Sequence, residues 1–141
     1  MKDIPNTFYR ISAKALILDD QKRFLLVREE NGLWEIPGGG IDHGEHPIET
    51  IKREIIEEMG IEVLDVNPTI QYFVIAKALD NVWKSSVFYL TKLKNLEFTP
   101  TEECKEIRFF TKEEAEKINT YPVVKAFLKE FDPTKLIDQV Y

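Results

Sequence analysis

Apolar and polar positions change their period along the chain, and each change marks an element. Phe8 to Leu18 is apolar and β-prone, and Asp19-Asp20-Gln21-Lys22 then supplies a turn. Arg23 to Arg28 reads as the returning strand of a hairpin. Trp34-Glu35-Ile36 is a short strand stopped by Pro37-Gly38-Gly39-Gly40. Three glycines in succession make a poor helix or strand interior; they let the backbone take φ > 0 or approach a ligand closely. Pro47 suits the first turn of a helix that runs to about Met59, with Gly60 as its stop.

Beyond this helix, Ile70 to Ala78 and Val82 to Leu93 read as strands. A polar loop from Thr99 to Glu103 leads to a further strand near Ile107 to Phe110. Thr111 is placed to cap a helix over Lys112 to Ile118, with Glu114 in capping-box position. A last amphipathic helix covers Val123 to Phe131 and is closed by Pro133. Strands mixed with a few helices predict an α/β or α+β sandwich, and no linker or repeat divides residues 1–141, so one domain is expected.

On a wheel of ~100° per residue, Ile48, Ile51, Ile55 and Met59 fall in one stripe about 80° wide, the core-facing side of the helix. Glu54, Glu57 and Glu58 form a second stripe beside it. Glu58 lies nearest the apolar edge, which predicts partial burial.

The net charge of −6 argues against binding to polymeric nucleic acid or an anionic membrane, which takes surplus Lys and Arg. It leaves a polyanionic small molecule open, because a divalent cation reverses the local sign of a site. The single cysteine, Cys104, rules out a disulfide framework or thiolate cluster. Met1 to Asn6 has no signal-peptide core, and no run approaches the ~18 apolar residues of a membrane span, so a cytoplasmic protein is expected.

Side chains three and four apart on a helix lie ~5–6 Å from one another, so the three glutamates crowd together. They also occupy the last turn, the negative end of the helix dipole, where a cation is preferred. Taken alone, they fit either a solvated acidic face or a site for Mg²⁺ or Mn²⁺, hard ions that take carboxylate oxygens.

The wider spacing separates these readings. Gly39 is followed after five residues by Glu45, and after seven more by Arg53-Glu54-Ile55-Ile56-Glu57-Glu58-Met59-Gly60-Ile61. This resembles the Nudix box at every fixed position, and Trp34-Glu35-Ile36-Pro37-Gly38 before it is also similar to the family. The resemblance implies a Nudix-like α-β-α sandwich with a mixed central sheet. It implies a Mg²⁺- or Mn²⁺-dependent hydrolase of phosphoanhydride bonds in nucleoside diphosphates linked to another group. Metal ligation is expected from Glu54, Glu57, Glu58 and the Gly39 carbonyl, with Glu45 and Arg53 bracing the loop against the helix.

The same resemblance implies a further acidic residue before a late strand. Glu103 is the choice, with Glu102 and Glu106 as neighbours that could serve instead, and Glu54 or Glu103 would act as general base. For substrate, Arg28 is a candidate phosphate contact and Trp34 a candidate base-stacking ring. Arg10, Phe8, Tyr9, Tyr72, Phe73 and Trp83 are further candidates; most aromatics at strand positions are core residues. His43 and His46 are read as exposed and non-catalytic. Marks of the ADP-ribose, dinucleoside polyphosphate and coenzyme A branches are missing, and the cysteine of the isoprenoid isomerase branch has no counterpart. This leaves a (deoxy)nucleoside triphosphate as the default substrate, with a nucleotide-sensing domain as the alternative and a homodimer as the assembly common in such a family.

Overall fold

The computed structural model describes residues 8–137, so the reading of Met1 to Asn6 and the last four positions of the expected domain lie outside it. Among the described residues, seven strands form two sheets. In chain order they are β1 (Arg10–Leu16), β2 (Phe24–Arg28), β3 (Trp34–Glu35), β4 (Gly38–Gly40), β5 (Val63–Lys77), β6 (Trp83–Leu93) and β7 (Glu106–Phe110). The helices are α1 (Pro47–Met59), α2 (Lys112–Ala115) and α3 (Pro122–Glu130), followed by a 3-10 turn at Pro133–Lys135.

The larger sheet has the order β4-β1-β6-β5 and is mixed: β1 runs parallel to β6, while β4 and β5 are antiparallel to their neighbours. The smaller sheet, β3-β2-β7, is antiparallel. Two apolar clusters fill the space between layers. One joins Leu16, Phe24, Leu26, Val74 and Phe88 to Val124 and Phe127 of α3. The other joins Ala13, Ala15, Leu25 and Val27 to Ile51, Ile55 and Met59 of α1. The mixed sheet between helical layers is the α/β sandwich that the sequence pattern predicts.

Phe24, Leu25, Leu26 and Val27 are buried without alternation, as befits a strand covered on both faces. This explains a difference from the hairpin expected for β1 and β2. The two meet only beside the turn, where the Asp19 N–H donates to the Arg23 carbonyl and Leu18 bridges Phe24. They then diverge into separate sheets, each finding other partners.

Three further differences have local causes. The glycine run forms a short strand, because β1 supplies the partners that its own propensity lacks. Strand β5 begins at Val63, earlier than the expected Ile70, and passes through Asn67-Pro68 by register shifts between Val66 and Ile70. It is an edge strand, where a proline without an N–H is tolerated at a bulge. Helix α2 ends at Ala115 rather than Ile118, where N–H groups turn to carbonyls three residues back: Lys117 to Glu114 and Ile118 to Ala115. Its Thr111–Glu114 capping box forms in both directions, at 3.1 and 2.9 Å.

Candidate metal and active site

Helix α1 starts at Pro47 in its first turn, capped by the His46 imidazole, which accepts from the Ile48 N–H at 3.1 Å. It ends at Gly60 in the left-handed conformation. Ile51, Ile55 and Met59 are fully buried, each contributing about 1.5–3 kcal/mol relative to an exposed side chain. That anchoring fixes the azimuth of the neighbouring glutamates.

Glu58 is buried, at 5% exposure, and its Oε1 accepts from the Gly38 N–H at 3.1 Å. Burial pushes its carboxyl well above the ordinary range, and the charges of Glu54 and Glu103 push the same way; Lys14 and the Gly38 N–H oppose them. Glu54 lies against the glycine strand. A Cβ at Gly39 would meet its carboxyl carbon at 2.5 Å, so a larger residue there would push this carboxylate from its position.

The third carboxylate comes from the far side of the chain. Thr101 Oγ1 donates to the Glu58 carbonyl at 2.8 Å, and the side chain of Cys104 is fully buried in the α1 cluster. Burial, and then the Glu58 charge, push the Cys104 thiol up to about 11, which suits a packing role. Between these anchors the turn carries exposed Glu103 to α1, and carboxylate oxygens of Glu54, Glu58 and Glu103 lie within 4.8 Å of one another. Desolvation and the neighbouring carboxylates raise the Glu103 carboxyl.

Glu57 is outside this group. It is exposed, and its closest ionic partner is Arg53 Nη1, at 3.4 Å. Arg53 is the hub of the loop. Its Nε and Nη2 reach the two Glu45 oxygens at 2.9 Å each, Nη1 reaches Glu54 at 2.8 Å, and Nη2 donates to the Gly40 carbonyl at 3.2 Å. Thr50 Oγ1 also donates to Glu45 at 2.5 Å. Arg53, and then Thr50, hold the Glu45 carboxyl down at about 2.

The other expected contacts are placed elsewhere. Trp34 is 8% exposed, and its indole packs edge-on against Phe110 with Arg108 over the ring, leaving little surface for a base. Arg28 pairs with Glu106 at 3.2 Å across β2 and β7. His43 and His46 are exposed.

Lys14 was not singled out by its pattern, yet it is buried beside the site, donating to the Ile36 carbonyl at 3.3 Å and facing Glu35 at 3.8 Å. A lone lysine inside the apolar run of β1 was the available signal. Asp42, 3.5 Å from Arg53, and Thr101 had none.

Three clustered carboxylates with a buried member and a glycine-lined recess are chemically suited to a hard divalent cation, which removes their mutual repulsion. The mixed-sheet sandwich presents this cluster, a candidate divalent-cation site, from one helix and one loop. The NUDIX domain matches residues 8–131, and the chain belongs to the Nudix family.

Among curated relatives, an RNA pyrophosphohydrolase of Francisella tularensis is 36% identical over 64 residues, 45% of this chain and 41% of the relative. The chain thus spans less than half the length of this curated relative. Among solved structures, the MutT protein of Methanosarcina mazei has a TM-score of 0.71 and 26% identity, covering 88% of this chain and 91% of the other. An ADP-ribose pyrophosphatase from Streptococcus suis has a TM-score of 0.60 and 26% identity, covering 82% and 81% respectively. Among the described residues, no helix is long and apolar enough to cross a membrane.

Proposed function

We propose that the chain hydrolyses a phosphoanhydride bond in a nucleotide-derived substrate, with Mg²⁺ or Mn²⁺ held by Glu54, Glu58 and Glu103. Glu57 stands at the rim and the Gly39 backbone lies alongside. The observation that carries this reading is the convergence of three carboxylates from α1 and the 101–105 turn within 4.8 Å. When bound, the ion would neutralise phosphate oxygens and lower the pKa of a water. The protein's part is positional. Arg53 fixes Glu54 at 2.8 Å, the Gly38 N–H fixes Glu58, and Thr101 fixes the turn that presents Glu103. As water adds to phosphorus and the bridging P–O bond breaks, the proton released passes to the Glu103 carboxylate oxygen that does not hold the ion. That residue is exposed and has no ion pair among the described residues, whereas Glu54 is engaged by Arg53.

The relatives' names cover RNA and ADP-ribose, and the sequence favours (deoxy)nucleoside triphosphates, so these three classes form the panel to test. Release of phosphate, diphosphate or nucleoside monophosphate is measured with Mg²⁺ and with Mn²⁺. Turnover of at least one class is expected, reduced on the order of 10²–10⁴-fold in Glu58→Gln and Glu103→Gln. Absence of metal-dependent cleavage across the panel would overturn the proposal.

A further inference from the structure

Helix α1 covers only part of its face of the larger sheet, the part around Ala13, Ala15 and Tyr89. Toward the start of β1 and the turn between β5 and β6, the same face is bare. The register fixes which side chains stand there. Ile11 and Ile75 flank Ser85, Ala13 and Phe73 flank Val87, Trp83 lies opposite Lys77, and Ile70 opposite Tyr89. Cross-strand partners, and residues two apart on one strand, point to the same face. Tyr9 joins them, with its ring centroid 6.5 Å from that of Trp83.

Tyr9, Ile11, Ile70, Phe73, Ile75 and Trp83 are each 47–56% exposed. Single apolar side chains scattered over a surface are ordinary, but these six occupy neighbouring positions along three strands. The other face of β5 is covered: Tyr72, Val74 and Ala76 pack into the cluster beneath α3.

Area, charge and shape point to one occupant. A large apolar side chain has on the order of 200 Å² of surface, so six that are half-exposed offer roughly 600 Å². Two copies would together bury about 1,200 Å², the lower end for a specific interface. Among the strand positions of this patch Lys77 alone is charged. Two chains of net charge −6 repel one another, and here they meet without opposed carboxylates, with the rim lysine against the acid excess of the other copy. Aromatic and aliphatic groups inside a polar rim are the make-up of an interface core. A sheet face is also self-complementary, since two sheets stack about 10 Å apart with interdigitated side chains.

We propose that this face is the contact between two copies of the chain, packed sheet on sheet about a two-fold axis. The contact is independent of the hydrolase reading and is tested without substrate. Sedimentation equilibrium of the full chain from about 1 to 500 µM should show reversible passage from one chain to two, with a dissociation constant of about 1–100 µM. Phe73→Glu and Ile75→Glu, which place an acid in the patch, should each weaken association at least tenfold, with the melting temperature of the dilute protein unchanged. Leu96→Glu, at an equally exposed residue after β6, should change it less than twofold. In the wild type, amide chemical shifts of residues 70–75 and 83–87 should move with concentration.

A monomer throughout the range would overturn the proposal and leave the face to a different partner. So would growth past a dimer, concentration-independent shifts at these amides, or patch variants that associate as tightly as the wild type or as Leu96→Glu.

Discussion

Arg53 holds Glu45 with two nitrogens and Glu54 with a third, so one side chain ties the loop to a carboxylate of the site. The charge-assisted pair has a pH signature. The folded-state pKa of Glu45 lies below its unfolded value, at about 2 against 4.5, so the pair's stabilisation is complete above pH 4.5 and is lost as pH falls toward 2. Melting temperatures of the wild type and Glu45→Gln, taken from pH 2 to 6, should therefore differ most at pH 6 and converge near pH 2. A constant gap would refute this account. Gly39 gives a second test at this scale. In Gly39→Ala the new methyl group would meet the Glu54 carboxyl carbon at 2.5 Å and displace it. A shift of about 1 Å at a reacting group can cost 10²-fold, so activity should fall about that much with little change in melting temperature.

At the scale of elements, the 101–105 turn is the part to probe, because it brings a distant carboxylate to α1. The resemblance favours Glu103, with Glu102 and Glu106 as neighbours in the same loop. The fold distinguishes them: Glu102 contributes its backbone carbonyl to the Glu30 N–H, Glu106 pairs with Arg28, and Glu103 faces Glu54 and Glu58. Glu103→Gln should raise the Mg²⁺ concentration for half-maximal activity at least tenfold, whereas Glu102→Gln should leave it within twofold, on the scale of one charge-assisted contact. Thr101→Val should lower stability by about 1 kcal/mol and loosen the turn. Equal effects of Glu102→Gln and Glu103→Gln on metal titrations would sink the assignment. Helix α1 was legible residue by residue, because Pro47, Gly60 and the Ile51-Ile55-Met59 stripe act within one element. The start of β5 was not. Asn67-Pro68 is a local break signal, overridden by pairing with β6 at the sheet edge.

For the molecule as a whole, repulsion among three carboxylates in a chain of net charge −6 should make folding and metal binding mutually supportive. At a Mg²⁺ concentration near 100 times its dissociation constant, linkage contributes about 2.7 kcal/mol. For a domain of this size that is a rise of roughly 5–10 °C in melting temperature. The rise should vanish in Glu58→Gln, and a wild type indifferent to Mg²⁺ and Mn²⁺ would count against the metal site. The sequence by itself determined the sandwich class, the helix and its caps, the spacing from Gly39 to Ile61 and the crowding of glutamates at one helix end. Those features arise from residues close in the chain, where period, propensity and fixed spacing act directly. The tertiary structure alone decided that β1 and β2 part into two sheets, that Trp34 is buried, that Lys14 is buried against Glu35, and how closely the Glu103 carboxylate approaches Glu54 and Glu58. Each depends on which distant strands and loops pack together, and burial on two faces is set by long-range neighbours that no local pattern encodes.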